Sequence, residues 1–199
     1  MRFVWIFIYL SVLVWSAISP KDMTIWFLEA GPAIIAGILM LMTYNSFRLT
    51  PLLYIFILMH CIILMVGAHY TYAEVPLFDT LRLVFDFERN NYDKLGHFFQ
   101  GLVPALVARE ILIRKQVVNG SAWLNLFVVS ICLAFSAFYE LIEWWTALIS
   151  EESAEAFLGT QGYIWDTQSD MGWALLGAIT TLVVFARLHN RQLERLIKT

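Results

Sequence analysis

The residues able to do chemistry in this 199-residue chain gather in four short stretches. In Asp93-Lys94-Leu95-Gly96-His97-Phe98-Phe99-Gln100, Asp93 and His97 are four apart and Gln100 is three further on. On a helix that spacing puts all three near one face, with neighbouring Cβ atoms about 5–6 Å apart. Tyr139-Glu-Leu-Ile-Glu-Trp-Trp145 carries Glu140 and Glu143, three apart. Gln161-Gly-Tyr-Ile-Trp-Asp166-Thr-Gln168-Ser-Asp170-Met171 carries Asp166 and Asp170, four apart. The fourth stretch is His69-Tyr70-Thr71-Tyr72-Ala73-Glu74. Carboxylates brought close together cannot all ionise without a counter-charge, so they share protons, pair with bases or hold a metal. A mixed His and carboxylate set suits Zn, Mn or Fe, whereas carboxylates and amides alone suit Mg or Ca.

The expected metal ligands are His69, Asp93, His97, Glu140, Glu143, Asp166 and Asp170, with Gln100, Gln161 and Gln168 just outside them. His97, Glu140, Asp166 and Asp170 are the expected ligands or general bases of a reaction in which a divalent metal activates water. Simpler roles compete. Asp93 and Asp166 stand at predicted helix starts, where a carboxylate caps free N–H groups. His97 could be a hydrogen-bonded interface histidine, and His69 sits among aromatic residues that suit a membrane–water boundary. Glu140 with Glu143 is hardest to explain structurally, because two acids on one buried face repel each other. No HExxH signature fixes a reaction.

What must position these residues is a set of membrane-crossing helices. The chain is 60% hydrophobic and only 15% charged, with a mean hydropathy of +0.69. A soluble globule of ordinary composition carries about 25% charged residues. The apolar residues run in blocks, and a bilayer core of ~30 Å takes about 20 helical residues to cross. Six spans are expected, at roughly 3–19, 23–44, 51–73, 94–113, 122–148 and 170–188. The first, behind Arg2, resembles a signal peptide, but Pro20 follows its only small-residue cleavage candidate, so it reads as an uncleaved span. Residues 74–93 set Leu77, Phe78, Leu81, Val84 and Phe85 against Asp79, Arg82, Asp86 and Arg89, the pattern of a short helix lying in the interface. Residues 149–169, with Glu151, Glu152, Glu155 and Gly159, read as a solvated connection. Residues 1–199 thus make one all-α transmembrane domain. Cys61 and Cys132 fall mid-span as small core residues, and the net charge of −3 gives no nucleic-acid signal.

Lysine and arginine set the orientation. Arg2, Arg48, Arg109, Arg114, Lys115, Arg187, Arg191, Arg195 and Lys198 fall on one side, and Lys21, Arg82, Arg89 and Lys94 on the other. Both termini are therefore expected in the cytoplasm. Helix direction alternates, so the four polar stretches meet at the outer face. Glu29, above Gly31-Pro32, is expected beside them. His60 lies near the middle of its helix and suits a bond to a neighbouring helix or a step in a proton path. Arg109 with Glu110 falls at the far end, which otherwise reads as basic and plain.

Several stretches resemble the YjdF-type family of bacterial inner-membrane proteins. They are Gly67-Ala-His-Tyr-Thr-Tyr-Ala-Glu-Val-Pro76, Asn91-Tyr-Asp-Lys-Leu-Gly-His-Phe-Phe-Gln-Gly101, Tyr139-Glu-Leu-Ile-Glu-Trp-Trp145 and Thr160-Gln-Gly-Tyr-Ile-Trp-Asp-Thr-Gln-Ser-Asp-Met171. The resemblance runs nearly end to end. It implies an inner-membrane location and a multi-pass fold, and it supplies no reaction. A fainter similarity to VanZ-like membrane proteins rests on Asp93-Lys94-x-x-His97-Phe98 and the acids of the next two helices, and it points to the cell envelope. The expected function is a metal-dependent hydrolase or transferase acting on a lipid-linked envelope substrate. The alternatives are a proton- or cation-coupled transporter and a non-catalytic membrane subunit.

Overall fold

A computed structural model describes residues 2–149 and 160–197. The acids Glu151, Glu152 and Glu155, the neighbouring Gly159, and the terminal Lys198 lie outside the described residues. Among those described, each expected span corresponds to a helix and there is no strand. The elements are α1 (Arg2–Ala17), α2 (Met23–Thr43), α3 (Pro51–Tyr70), a 3-10 turn (Tyr72–Glu74), α4 (Pro76–Phe85), α5 (Tyr92–Arg114), α6 (Ser121–Ile149), α7 (Asp166–Thr180), a π turn (Thr181–Phe185) and α8 (Ala186–Ile197).

Local chemistry sets several of the helix starts. Asp22 caps α2, its carboxylate accepting from the backbone N–H groups of Thr24 at 2.7 Å and Ile25 at 3.0 Å. Thr50 caps α3, and Pro51 takes the first helical position, where a missing N–H costs nothing. The helices α2, α3, α6 and the continuous Asp166–Ile197 rod are long and apolar enough to cross a membrane. The apolar α1 has 16 residues, about 24 Å at 1.5 Å per residue. The 23-residue α5 is long enough but carries Asp93, Lys94, His97, Arg109, Glu110 and Arg114.

That polarity is turned inward. The central helix α5 packs against α3, α6 and α7, and it buries Asp93, Lys94, His97, Arg109 and Glu110. Around it, Leu53, Ile57, Met65, Leu102, Val103 and Leu106 form the main core. Large apolar side chains such as Phe3, Phe7, Leu41, Met42 and Val183 point outward, as lipid contact requires. On α4, Leu77, Leu83, Val84 and Phe85 are exposed, while Phe78 stacks edge-on against Tyr92 at 5.1 Å. An exposed apolar face on a short helix is the expected interfacial arrangement.

The contact of α5 with α7 is backbone against backbone. A Cβ added at Gly101 would stand 1.7 Å from the Ala174 carbonyl oxygen, and one at Gly177 would stand 2.0 Å from that of Phe98. Only glycine permits this approach. It draws the start of α7 onto the start of α5. The sixth span, expected from residue 170 to 188, is longer at both ends. It begins at Asp166, which pairs with α5, and it continues through the π turn because His189 and Leu193 are buried against the bundle.

Candidate functional site

The first turns of α5 and α7 and the last turns of α6 converge on His97. Its Nε2 lies 3.2 Å from Asp93 Oδ1, 3.9 Å from Glu140 Oε1 and 3.9 Å from Asp170 Oδ2. Its Nδ1 lies 2.8 Å from Gln100 Oε1. The amide oxygen accepts from Nδ1–H, so Nε2 is the ring atom that faces the acids, and an ion bound there would replace its proton. Two overlapping ligand sets share this ring. Asp93, His97 and Asp170 form one, and His97, Glu140 and Glu143 form the other, each with its donor atoms within 4.8 Å of one another.

Two cations balance part of the charge. Lys94 Nζ lies 2.7 Å from Asp166 Oδ1 and 2.6 Å from Asp170 Oδ1. The Arg89 guanidinium lies 2.5 Å from Asp166 and 3.8 Å from Asp93. Five buried carboxyl groups (Asp93, Glu140, Glu143, Asp166 and Asp170) therefore face Lys94, Arg89 and His97. Asp93 Oδ2 and Glu140 Oε1 are buried with no hydrogen-bond partner. An unpaired buried oxygen of this kind costs about 1–3 kcal/mol or more. A proton or a bound cation answers that cost.

The polar stretches do not all arrive. His69 is held against α1, its ring 4.5 Å from that of Trp15 and its Nδ1 3.2 Å from the Ser16 carbonyl. It belongs to neither ligand set. Asp166 stands behind Lys94, engaged with both cations. Gln161 braces the connection before α5, accepting from Asn90 N at 3.0 Å and donating to Asn90 O at 2.8 Å. Gln168 is exposed on α7. The capping role considered for Asp93 and Asp166 does not hold. Asn91 and Trp165 occupy the cap positions without side-chain caps, and both aspartates are engaged by Arg89 and Lys94.

Beside His97 a cavity of about 280 Å³ runs into the bundle. Its lining comes from α2, α3, α5 and α6 and from Tyr72 of the 3-10 turn. Its walls include Pro32, Leu64, Pro104, Phe135 and Phe138. Proline lacks the N–H that would close a helical turn, so both helix prolines loosen the wall they form. Tyr72 fills the corner beside Gly67 and Gly96, where an added Cβ would stand 2.5 Å and 2.9 Å from its ring. Glu29 and His60 also line the cavity. His60 does not bond a neighbouring helix: its Nε2 is buried without a partner, and its ring lies 6.3 Å from that of Phe99.

The far end is not plain. Glu110 and His189 are both fully buried, with His189 Nε2 3.0 Å from Glu110 Oε2. Thr50 Oγ1 donates to Glu110 at 2.8 Å and Arg114 pairs with it at 2.9 Å. Arg109 reaches His189 Nδ1 at 3.1 Å and Asn190 at 2.7 Å. The pair Arg109–Glu110 was visible as a polar step in α5. Nothing in the α8 sequence marks His189 as its partner, eighty residues away.

Inward-turned charge, an outward apolar surface and long apolar helices define a multi-pass helical membrane protein. Residues 1–191 match the family described as "Predicted membrane protein (DUF2238)", and the chain belongs to it. It is 54% identical over 184 residues to the Inner membrane protein YjdF of Escherichia coli (strain K12), covering 92% of this chain and 88% of that protein. It is accordingly a multi-pass protein of the inner membrane. No solved structure matches it.

Proposed function

We propose that this protein is a metal-dependent hydrolase or transferase of the inner membrane, acting on a lipid-linked envelope substrate from a site that faces the periplasm. The observation that carries this reading is the convergence on His97 Nε2 of carboxylates from three helices, with Asp93 Oδ2 and Glu140 Oε1 making no hydrogen bond. The donor set is mixed, so it suits Zn, Mn or Fe, and Mg if the carboxylates alone bind. His97, Asp93 and Asp170 would hold the ion, and Glu140 and Glu143 would move protons beside it. The ion would supply a Lewis acid and an activated water. The cavity supports the lipid part of the reading, since its walls are largely apolar and it reaches the His97 cluster. The excess of Lys and Arg at the opposite end supports cytoplasmic termini.

A carrier would need polar groups continuing past the cavity floor. Below Pro104 the bundle closes with Leu53, Ile57, Val103 and Leu106, which favours the enzyme. Elemental analysis of detergent-purified protein is the test. Stoichiometric Zn, Mn or Fe that disappears in His97→Ala and Glu140→Gln is the expected result. Metal-free wild-type protein, with both variants folded, would overturn the reading.

A further inference from the structure

The cavity contains two polar groups that the His97 cluster does not use. Glu29, from α2, is 2% exposed. Its Oε2 has no hydrogen-bond partner, nor has His60 Nε2 from α3. Both residues line the same cavity as His97, among Pro32, Leu64, Pro104 and Phe138. A polar atom left unpaired in such a wall is costly, so a ligand that pairs with it recovers that loss. A ligand of pure hydrocarbon cannot.

The depth of His60 says which ligand atoms meet it. His60 packs at the level of Phe99, two residues beyond His97 along α5. At 1.5 Å per residue that is about 3 Å further into the bundle. A lipid whose head group sits at the His97 cluster therefore places its linkage region, the atoms joining head group to tails, beside His60, with Glu29 lining the same cavity. A carboxyl O–H and an imidazole N–H both donate. Their natural partner is a carbonyl oxygen. Ester-linked acyl lipids carry carbonyls there, whereas a polyprenyl phosphate carries only hydrocarbon beyond its phosphate.

We infer that the substrate is an acyl-ester lipid, its ester carbonyls received by Glu29 and His60 at the wall of the cavity. The inference rests on the reading of the His97 cluster as the head-group end of the site. It is tested by native mass spectrometry of the full chain in detergent, titrated with three probes of matched chain length. These are diacyl phosphatidylglycerol, the dialkyl-ether lipid with the same head group, and a polyprenyl phosphate. The diacyl lipid is expected to bind at least tenfold tighter than the other two. In Glu29→Leu and in His60→Leu that preference is expected to shrink by severalfold, and in Glu29→Gln, which retains an N–H donor, to persist. Should a leucine variant fail to fold, the wild-type comparison of ester with ether decides. Equal binding of the two, preference for polyprenyl phosphate, or discrimination unchanged in the leucine variants would overturn the inference. Metal content, measured on the same samples, separates the outcomes. A metal-loaded protein without ester preference defeats this inference alone. Ester preference in a metal-free protein defeats the metal-dependent reading and leaves the lipid site standing.

Discussion

Lys94 Nζ lies 2.6 Å from Asp170 Oδ1, so a cation from the first turn of α5 neutralises an acid one turn into α7 directly beside His97. Both side chains are almost fully buried. This pair joins the two helices at the depth where the candidate ligands meet, and it makes the site and the stability of the bundle depend on each other.

Removing the lysine alone leaves Asp166 and Asp170 short of a counter-charge. Lys94→Met is expected to destabilise the protein by about 3–5 kcal/mol, as loss of one partner of a buried ion pair does. Lys94→Met combined with Asp170→Asn removes both charges and is expected to recover part of that loss. Thermal unfolding in detergent measures both.

A metal held by His97 and its carboxylates stabilises the folded state by mass action. At a free concentration one hundred times the dissociation constant, the gain is about 2.7 kcal/mol. Adding Zn or Mn to chelator-treated protein is therefore expected to raise Tm in the wild type and to leave it unchanged in His97→Ala. An unchanged wild-type Tm across a wide metal titration would refute this.

The α5–α7 contact admits no side chain. Gly101→Ala and Gly177→Ala each drive a methyl into a carbonyl oxygen of the facing helix. Overpacking of this kind costs about 1–3 kcal/mol even where neighbours can yield, and backbone yields poorly. Both variants are expected to unfold at lower temperature and to lose metal, because Asp170 retreats from His97. Gly31→Ala, where nothing lies within 4 Å of the added Cβ, is the control expected to retain both properties.

At the opposite end, His189→Ala strips Glu110 and Arg109 of a shared partner. Stability is expected to fall by about 1–3 kcal/mol, the cost of buried groups left unpaired. Metal stoichiometry is expected to stay at the wild-type value, since this network lies beyond the apolar floor of the cavity.

Much of this was legible in sequence because it is local. Asp93 with His97, Glu140 with Glu143 and Asp166 with Asp170 lie one helical turn apart, and alternating helix direction brings the three pairs to one end. The apolar blocks fixed the first five spans to within a few residues, whereas the last helix runs on to Ile197. Partnerships across the bundle were another matter. His69 shares the depth of the cluster, but its direction is set by Trp15 and Ser16, which no spacing within α3 reveals. Lys94 could be seen only as a base near acids, and its selection of Asp166 and Asp170 depends on the glycine contact between α5 and α7. His189 carried no signal, because the α8 pattern looks like a basic surface helix with one histidine in it.

The π turn between α7 and α8 explains how one rod serves both polar ends. Asp170 and His189 are nineteen residues apart, which on an unbroken α-helix would place them roughly 100° out of phase. Both nevertheless point at α5, one to Lys94 and the other to Glu110. The wider i→i+5 winding of Thr181–Phe185 turns the chain less per residue and absorbs the difference. It works as a vernier between two registers. A single-residue deletion there leaves eighteen residues between them, five whole turns of ordinary pitch, and is expected to keep both contacts, so the two polar ends of the molecule fix the phase between Asp170 and His189 and the π turn takes up the one extra residue.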